Sequence, residues 1–268
     1  MKKQKKIEVK WVGPDGEFDQ SKNSDLLQLL DHRIIRDKYS KKNIDNLKES
    51  TKKALKYLRR LFSTYELVSA YHNVGHNYIT AVTVLKGFIG GLKMGRIYSK
   101  NDLEVLLIAT LFHDTGYLRK SNKQKKTDVF THSMKSLDFV STFMDKILGW
   151  NGENSPKVKD LQSFTCYADW DENKKKLDDN DFAKILVGSD FMQVVDKNYF
   201  QNLEVLREFL RSKNVKNDKK GQARFLELSR EVTSYAWEFL DSFFDGKENN
   251  PYRKGWDRFE DTMKKDYM

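Results

Sequence analysis

Two short clusters concentrate the metal-ligating side chains of this chain. Residues 69–78 (SAYHNVGHNY) set His72 and His76 four positions apart beside Asn73, and residues 111–117 (LFHDTGY) join His113 to Asp114. Four of the five histidines fall between positions 72 and 132. Imidazole and carboxylate are the usual ligands of borderline and hard divalent ions. On a helix, residues four apart share a face, so His72 and His76 point the same way if the turn continues through both. Adjacent residues diverge by about 100° on a regular helix, so His113 and Asp114 converge on one ion only where the helix ends or bends. A lone His-Asp dipeptide on an apolar helix is more often a hydrogen-bonded core feature. The tie between the two pairs has to be tertiary, and spacing alone does not supply it.

Helices must position these residues, because almost everything after residue 20 has a helical period. Leu26, Leu27, Leu29, Leu30 and Ile34 form one short amphipathic segment, and residues 44–61 a longer one with a single buried stripe. The next helix carries His76, Ile79, Val82, Thr83 and Leu85 to about Leu92, with Gly90, Gly91 and Gly95 as stopping points. Ser99 and Asp102 match a capping box. The helix they start runs to about Phe112 and is apolar on nearly every face except at Glu104, which suits a central core element. Further helical segments are expected over 132–148, 156–168, 181–195, 203–210 and 223–244, with a last short helix around Trp256 and Phe259. Ahead of them, IEVKWVG fits a short strand closed by Pro14-Asp15-Gly16.

With 268 residues, 38% hydrophobic and 33% charged, the composition suits a folded globular chain. The expected organisation is an N-terminal extension over 1–24 and one helical domain over 25–268, since no linker or internal repeat divides it. A net charge of +10 favours anionic partners without separating nucleic acid from a small phosphorylated substrate. The lysines are dispersed and not interleaved with aromatic residues, which argues against a nucleic-acid platform. Cys166 is the only cysteine, so an internal disulfide is impossible. The basic N-terminus has no apolar run of signal-peptide length, and no segment approaches 18 uninterrupted apolar residues. A cytoplasmic location without a membrane span is the expectation.

YHNVGHNYITAV followed by LIATLFHDTGY resembles the signature of the HD superfamily of metal-dependent phosphohydrolases. The first motif is similar to the branch that holds the cyclic nucleotide phosphodiesterases and many bacterial relatives. The resemblance covers residues 71–191 and implies an all-α, HD-type helical bundle. It also implies that His76, His113, Asp114 and a later aspartate hold one or two divalent ions, with Asp114 as the bridge between two. Asp190, in AKILVGSDFMQVV, fits the later position; Asp181 and Asp196 are its rivals, and Asp169 and Asp171 suit a solvent-exposed loop. Manganese, zinc, magnesium, iron, cobalt and nickel are not distinguished by such a ligand set. The residue matching His72 is a general acid in the phosphodiesterases, and the one matching Asn73 shapes the loop around the site.

The chain departs from that branch in places. The phosphodiesterases carry another histidine four residues beyond the first of the His-Asp pair, and here Tyr117 stands there. Many bacterial relatives have a later histidine-glutamate pair; His132 is followed by Ser133, leaving His132 as a phosphate-facing residue or simply a polar helix start. GQARFLEL echoes the segment whose glutamine and phenylalanine grip a purine, which nominates Gln222 and Phe225; the competing account makes Phe225 core. The basic run 119–126, with Lys120, is either a phosphate-attracting lid or a solvated surface. The leading expectation is hydrolysis of a phosphate ester in a nucleotide-like substrate, with a cyclic nucleotide as best guess. The alternatives are a nucleotidase, a nucleotide pyrophosphohydrolase and a non-catalytic nucleotide-binding regulator.

Overall fold

The computed structural model describes residues 12–13, 16–17, 24–67, 72–119, 132–150, 154–165, 170–192 and 219–266. Among them the architecture is all-helical apart from two ladders of two-residue strands. Near the N-terminus, β1 (Val12–Gly13) pairs antiparallel with β2 (Gly16–Glu17); residues 7–11 of the expected strand lie outside the described residues.

The first amphipathic segment is two helices and not one: α1 (Ser24–Leu30) and α2 (Arg33–Lys38). His32 makes the break, because its Nδ1 accepts the Ile34 N–H at 3.3 Å and starts a new helix there. Next, α3 (Lys41–Thr64) buries the stripe Ile44, Leu47, Ala54, Leu55, Leu58 and Leu61. The central element is α4 (Val74–Lys93), in which every residue from Gly75 to Leu92 is buried. The reciprocal capping box at Ser99 and Asp102 opens α5 (Lys100–Phe112), buried throughout from Leu103 to Phe112.

Beyond these come α6 (His132–Phe143), extended by a π-turn at Met144–Leu148 that closes on Gly149 in the left-handed region, then α7 (Asn154–Ser163) and the short α8 (Trp170–Asn173). The last helices are α9 (Asp181–Phe191), α10 (Lys219–Phe243) and α11 (Pro251–Asp266). The helix expected over 203–210 lies outside the described residues. The helix around Trp256 and Phe259 is longer than the short one expected. Helices α1, α5, α9 and α10 all pack on α4, while α3 and α7 flank α5.

Gly90 and Gly91 do not stop α4. A Cβ at Gly90 would lie 1.8 Å from the carbonyl oxygen of Phe239, so the glycine lets α10 cross in backbone contact. The helix instead ends just before Gly95, whose φ of +83° is a conformation side chains disfavour. Gly188 serves the same end on α9, where a Cβ would meet the Ala236 nitrogen at 2.8 Å.

Candidate metal centre

The two sequence motifs are brought together by two ties, and a third contact steadies the second motif. The segment ahead of the first, β3 (Glu66–Leu67), pairs antiparallel with β4 (Leu118–Arg119) just after the second. Asn77, next to His76 on α4, donates its side-chain N–H to the Leu111 carbonyl near the end of α5 at 2.9 Å. Ser136 of α6 accepts the Gly116 N–H at 2.8 Å and donates to the His113 carbonyl at 2.6 Å, clasping the turn that carries Asp114. Neither Asn77 nor Ser136 was singled out by sequence. Asn77 stood inside the quoted motif, but Ser136 is 23 residues from His113 with no local signal to mark it.

His76 lies in the first turn of α4, behind the cap Asn73, whose side-chain oxygen accepts the N–H groups of Gly75 and His76 at 2.8 and 3.1 Å. Asn73 thereby sets the direction in which His76 leaves the helix. His72 precedes the cap, so the shared-helix-face relation to His76 does not hold. His113 is the C-cap of α5, and Asp114 begins the tight turn Thr115–Tyr117, which is the end of helix that lets adjacent side chains converge. Asp190 comes from the last turn of α9.

Four ligand atoms meet there. His76 Nε2 lies 2.7 Å from Asp114 Oδ2, 3.1 Å from Asp190 Oδ1 and 3.3 Å from His113 Nε2. His113 Nε2 is 3.2 Å from both of those carboxylate oxygens. Donors held at roughly 2.0–2.1 Å from one ion are about 3.3 Å apart in a tetrahedron and about 3.0 Å apart along an octahedral edge. The observed spacings bracket both values. His76, His113, Asp114 and Asp190 therefore form a buried cluster with the capacity to hold a divalent metal ion.

The tautomers agree with this. A carbonyl can only accept, so the 2.6 Å contact of His113 Nδ1 with the Thr110 oxygen keeps a proton on Nδ1 and turns Nε2 to the cluster, where it offers a lone pair once its own proton is displaced. Charge balance points the same way. Burial opposes charge on His76 and His113, yet the Asp114 and Asp190 carboxylates outweigh it, raising His76 and pushing His113 up to about 10. Burial would raise Asp114 too, but His113 and His72 hold it well below the usual carboxylate range. Two carboxylates this deep require positive charge beside them, since an unpaired buried ion costs several kcal/mol. Protons on the imidazoles supply it, and a divalent cation would replace them.

His72 sits beside the quartet. Its Nδ1 lies 2.7 Å from Asp114 Oδ2, and its ring stacks on Tyr117 with centroids 3.9 Å apart and planes 9° from parallel. Phe225 does not suit the ligand-gripping role expected of it: it is fully buried, between Phe191 and Phe259, and belongs to the core. His132 is the first residue of α6 and Gln222 lies in α10, but their side chains are outside the described set, as are Lys120 and Asp196. Asp181 is far from the cluster in role, accepting a hydrogen bond from Tyr98 Oη at 2.8 Å. No helix among the described residues is long and apolar enough to cross a membrane.

In comparisons with protein-family models and with curated proteins, nothing matches this chain.

Proposed function

We propose that the protein is a metal-dependent phosphohydrolase acting on a phosphate ester of a nucleotide-like substrate, with a cyclic nucleotide as the first candidate. The observation that carries this reading is the convergence of His76, His113, Asp114 and Asp190 with a further imidazole, His72, held alongside. The resemblance of YHNVGHNYITAV and LIATLFHDTGY to the HD superfamily supports it, and the net charge of +10 suits an anionic substrate.

His76, His113, Asp114 and Asp190 would hold the ion or ions. When bound, a divalent cation acidifies water and neutralises charge on phosphoryl oxygens. The remaining chemistry belongs to the chain. As water attacks phosphorus and releases one proton to solvent, the bond from phosphorus to the leaving oxygen breaks and its electron pair stays on that oxygen. An alkoxide leaves poorly unless it takes up a proton. Protonated His72 gives one from Nε2, because Nδ1 is engaged with Asp114, and is reprotonated from solvent when product departs. Asp114 keeps the imidazole oriented and stabilises its charged form.

The test is product analysis after incubation with manganese, and separately with chelator, against cyclic nucleotides and nucleoside mono-, di- and triphosphates. A linear monophosphate from a cyclic substrate, lost with chelator, supports the proposal as stated. Free phosphate or pyrophosphate moves the assignment to a nucleotidase or pyrophosphohydrolase. Manganese bound without turnover of any member rejects hydrolysis of this substrate class and favours a binding role.

A further inference from the structure

His72 precedes the N-cap of α4, so no helical hydrogen-bond ladder fixes its orientation. The Nδ1 contact with Asp114 Oδ2 sets one direction in the ring plane, and the His76 ring meets the imidazole edge-on at 5.5 Å. Tyr117 supplies the flat surface that sets the plane itself. Its ring lies face to face with the imidazole, at 3.9 Å and 9°, and both residues are buried.

We propose that Tyr117 is a positioning residue for proton delivery by His72; the inference rests on the reading of His72 as the general acid. The anchor and the stacking surface come from the same few residues. Asp114 and Tyr117 bracket one tight turn, closed by the Tyr117 N–H to the Asp114 carbonyl at 3.1 Å and clasped by Ser136 through His113 and Gly116. With Nδ1 fixed by Asp114 and the ring plane fixed by Tyr117, the direction of Nε2–H is determined. Proton transfer to a leaving oxygen depends steeply on that direction, because hydrogen bonds weaken quickly off line. The His-Asp turn thus supplies ligands on one side and aims the proton donor on the other.

The experiment compares wild type, Tyr117→Leu, Tyr117→Phe and His72→Asn as full-length, manganese-loaded protein. Two probes are used: a cyclic nucleotide, whose alkoxide leaving group needs a proton, and bis(4-nitrophenyl) phosphate, whose nitrophenolate does not. Tyr117→Leu is expected to lower kcat on the alkoxide ester about tenfold or more, with KM, manganese content and the nitrophenyl rate within about twofold of wild type. Tyr117→Phe, which keeps the ring, should restore most of the lost rate. In the metal-free protein, the upfield ring-current shift of the His72 ring protons should be present in wild type and Tyr117→Phe and absent in Tyr117→Leu.

Equal losses on both probes, or loss of manganese, would make Tyr117 a merely structural residue and overturn the proposal. So would a rate on the alkoxide ester unchanged in Tyr117→Leu, or no rescue by phenylalanine. If Tyr117→Leu does not fold, Tyr117→Phe and the ring-current shift still decide the stacking. The underlying reading fails separately, and takes this inference with it, if His72→Asn shows no selective loss on the alkoxide ester or wild type turns over neither probe.

Discussion

Replacing Gly188 by alanine tests the link between helix packing and the metal cluster. Taken as a helix-interior position, the change should stabilise α9 by about 1 kcal/mol, the usual difference in helix propensity. The tertiary structure reverses that sign. The added Cβ would lie 2.5 Å from Ala236 Cβ, 2.8 Å from Ala236 N and 3.2 Å from Ala236 Cα. Carbon atoms in contact need about 3.5–4.0 Å, so α9 and α10 must part by roughly 1 Å. Two of those three obstacles are backbone, so no rotamer change relieves them. Overpacking costs about 1–3 kcal/mol, and its upper half applies where side chains cannot give way. The net expectation is a loss of about 1–2 kcal/mol, read as a fall in Tm of roughly 2–6 °C for a chain of this size. Asp190 lies two residues further along α9, and ligand positions tolerate only about ±0.2 Å. Manganese affinity measured calorimetrically should therefore fall at least about tenfold. Gly87→Ala is the control, because its Cβ would press only on the Ile185 side chain, nearest atom 2.9 Å, which can shift. It should leave stability within about 1 kcal/mol of wild type and manganese affinity unchanged. A Gly188→Ala protein as stable as wild type, binding manganese equally well, would refute the backbone contact between α9 and α10.

Two further outcomes follow from titrating groups. In the metal-free protein, burial opposes charge on His113 but Asp114 and Asp190 raise its pKa from 6.5 to about 10, so this histidine's contribution to stability is complete below pH 6.5 and disappears as pH rises through about 10. The same protons compete with metal, so manganese affinity should climb across that window; calorimetry giving a flat pH dependence would show that the two are not linked. His32 behaves oppositely: burial, then Lys93, Arg33 and Arg36, lowers its pKa from 6.5, so its stabilisation is present above pH 6.5 and lost as pH falls through the folded value. Protonation also removes the lone pair that caps α2, and His32→Asn, which caps without titrating, should flatten the Tm of the protein between pH 5 and 7; an unchanged acid slope would place its origin elsewhere.

Local patterns carry as far as local physics does. The apolar stripe of α3, the Ser99–Asp102 capping box and the wholly buried α5 were legible because period and capping depend on neighbours within a few residues. So was the place of His113 and Asp114 at the end of α5, where adjacent side chains can converge. Gly90 and Gly91 read as stops, although α4 continues through them, since propensity says nothing of α10 lying against Gly90 or of the Tyr98 ring lying against Gly91. The break at His32 was missed because a histidine is a rare cap whose acceptor nitrogen has to be turned inward. Phe225 was drawn toward a ligand role by a short echo, whereas its packing against Phe191 of α9 and Phe259 of α11 makes it core. Helical periods, the Ser99–Asp102 cap and a candidate set of ligand types could be read from local pattern alone. Whether His76, His113, Asp114 and Asp190 meet, and that Tyr117 lies flat on His72, was decided only by the tertiary structure, because four donors from α4, the end of α5 and α9 share one point only once those helices have packed.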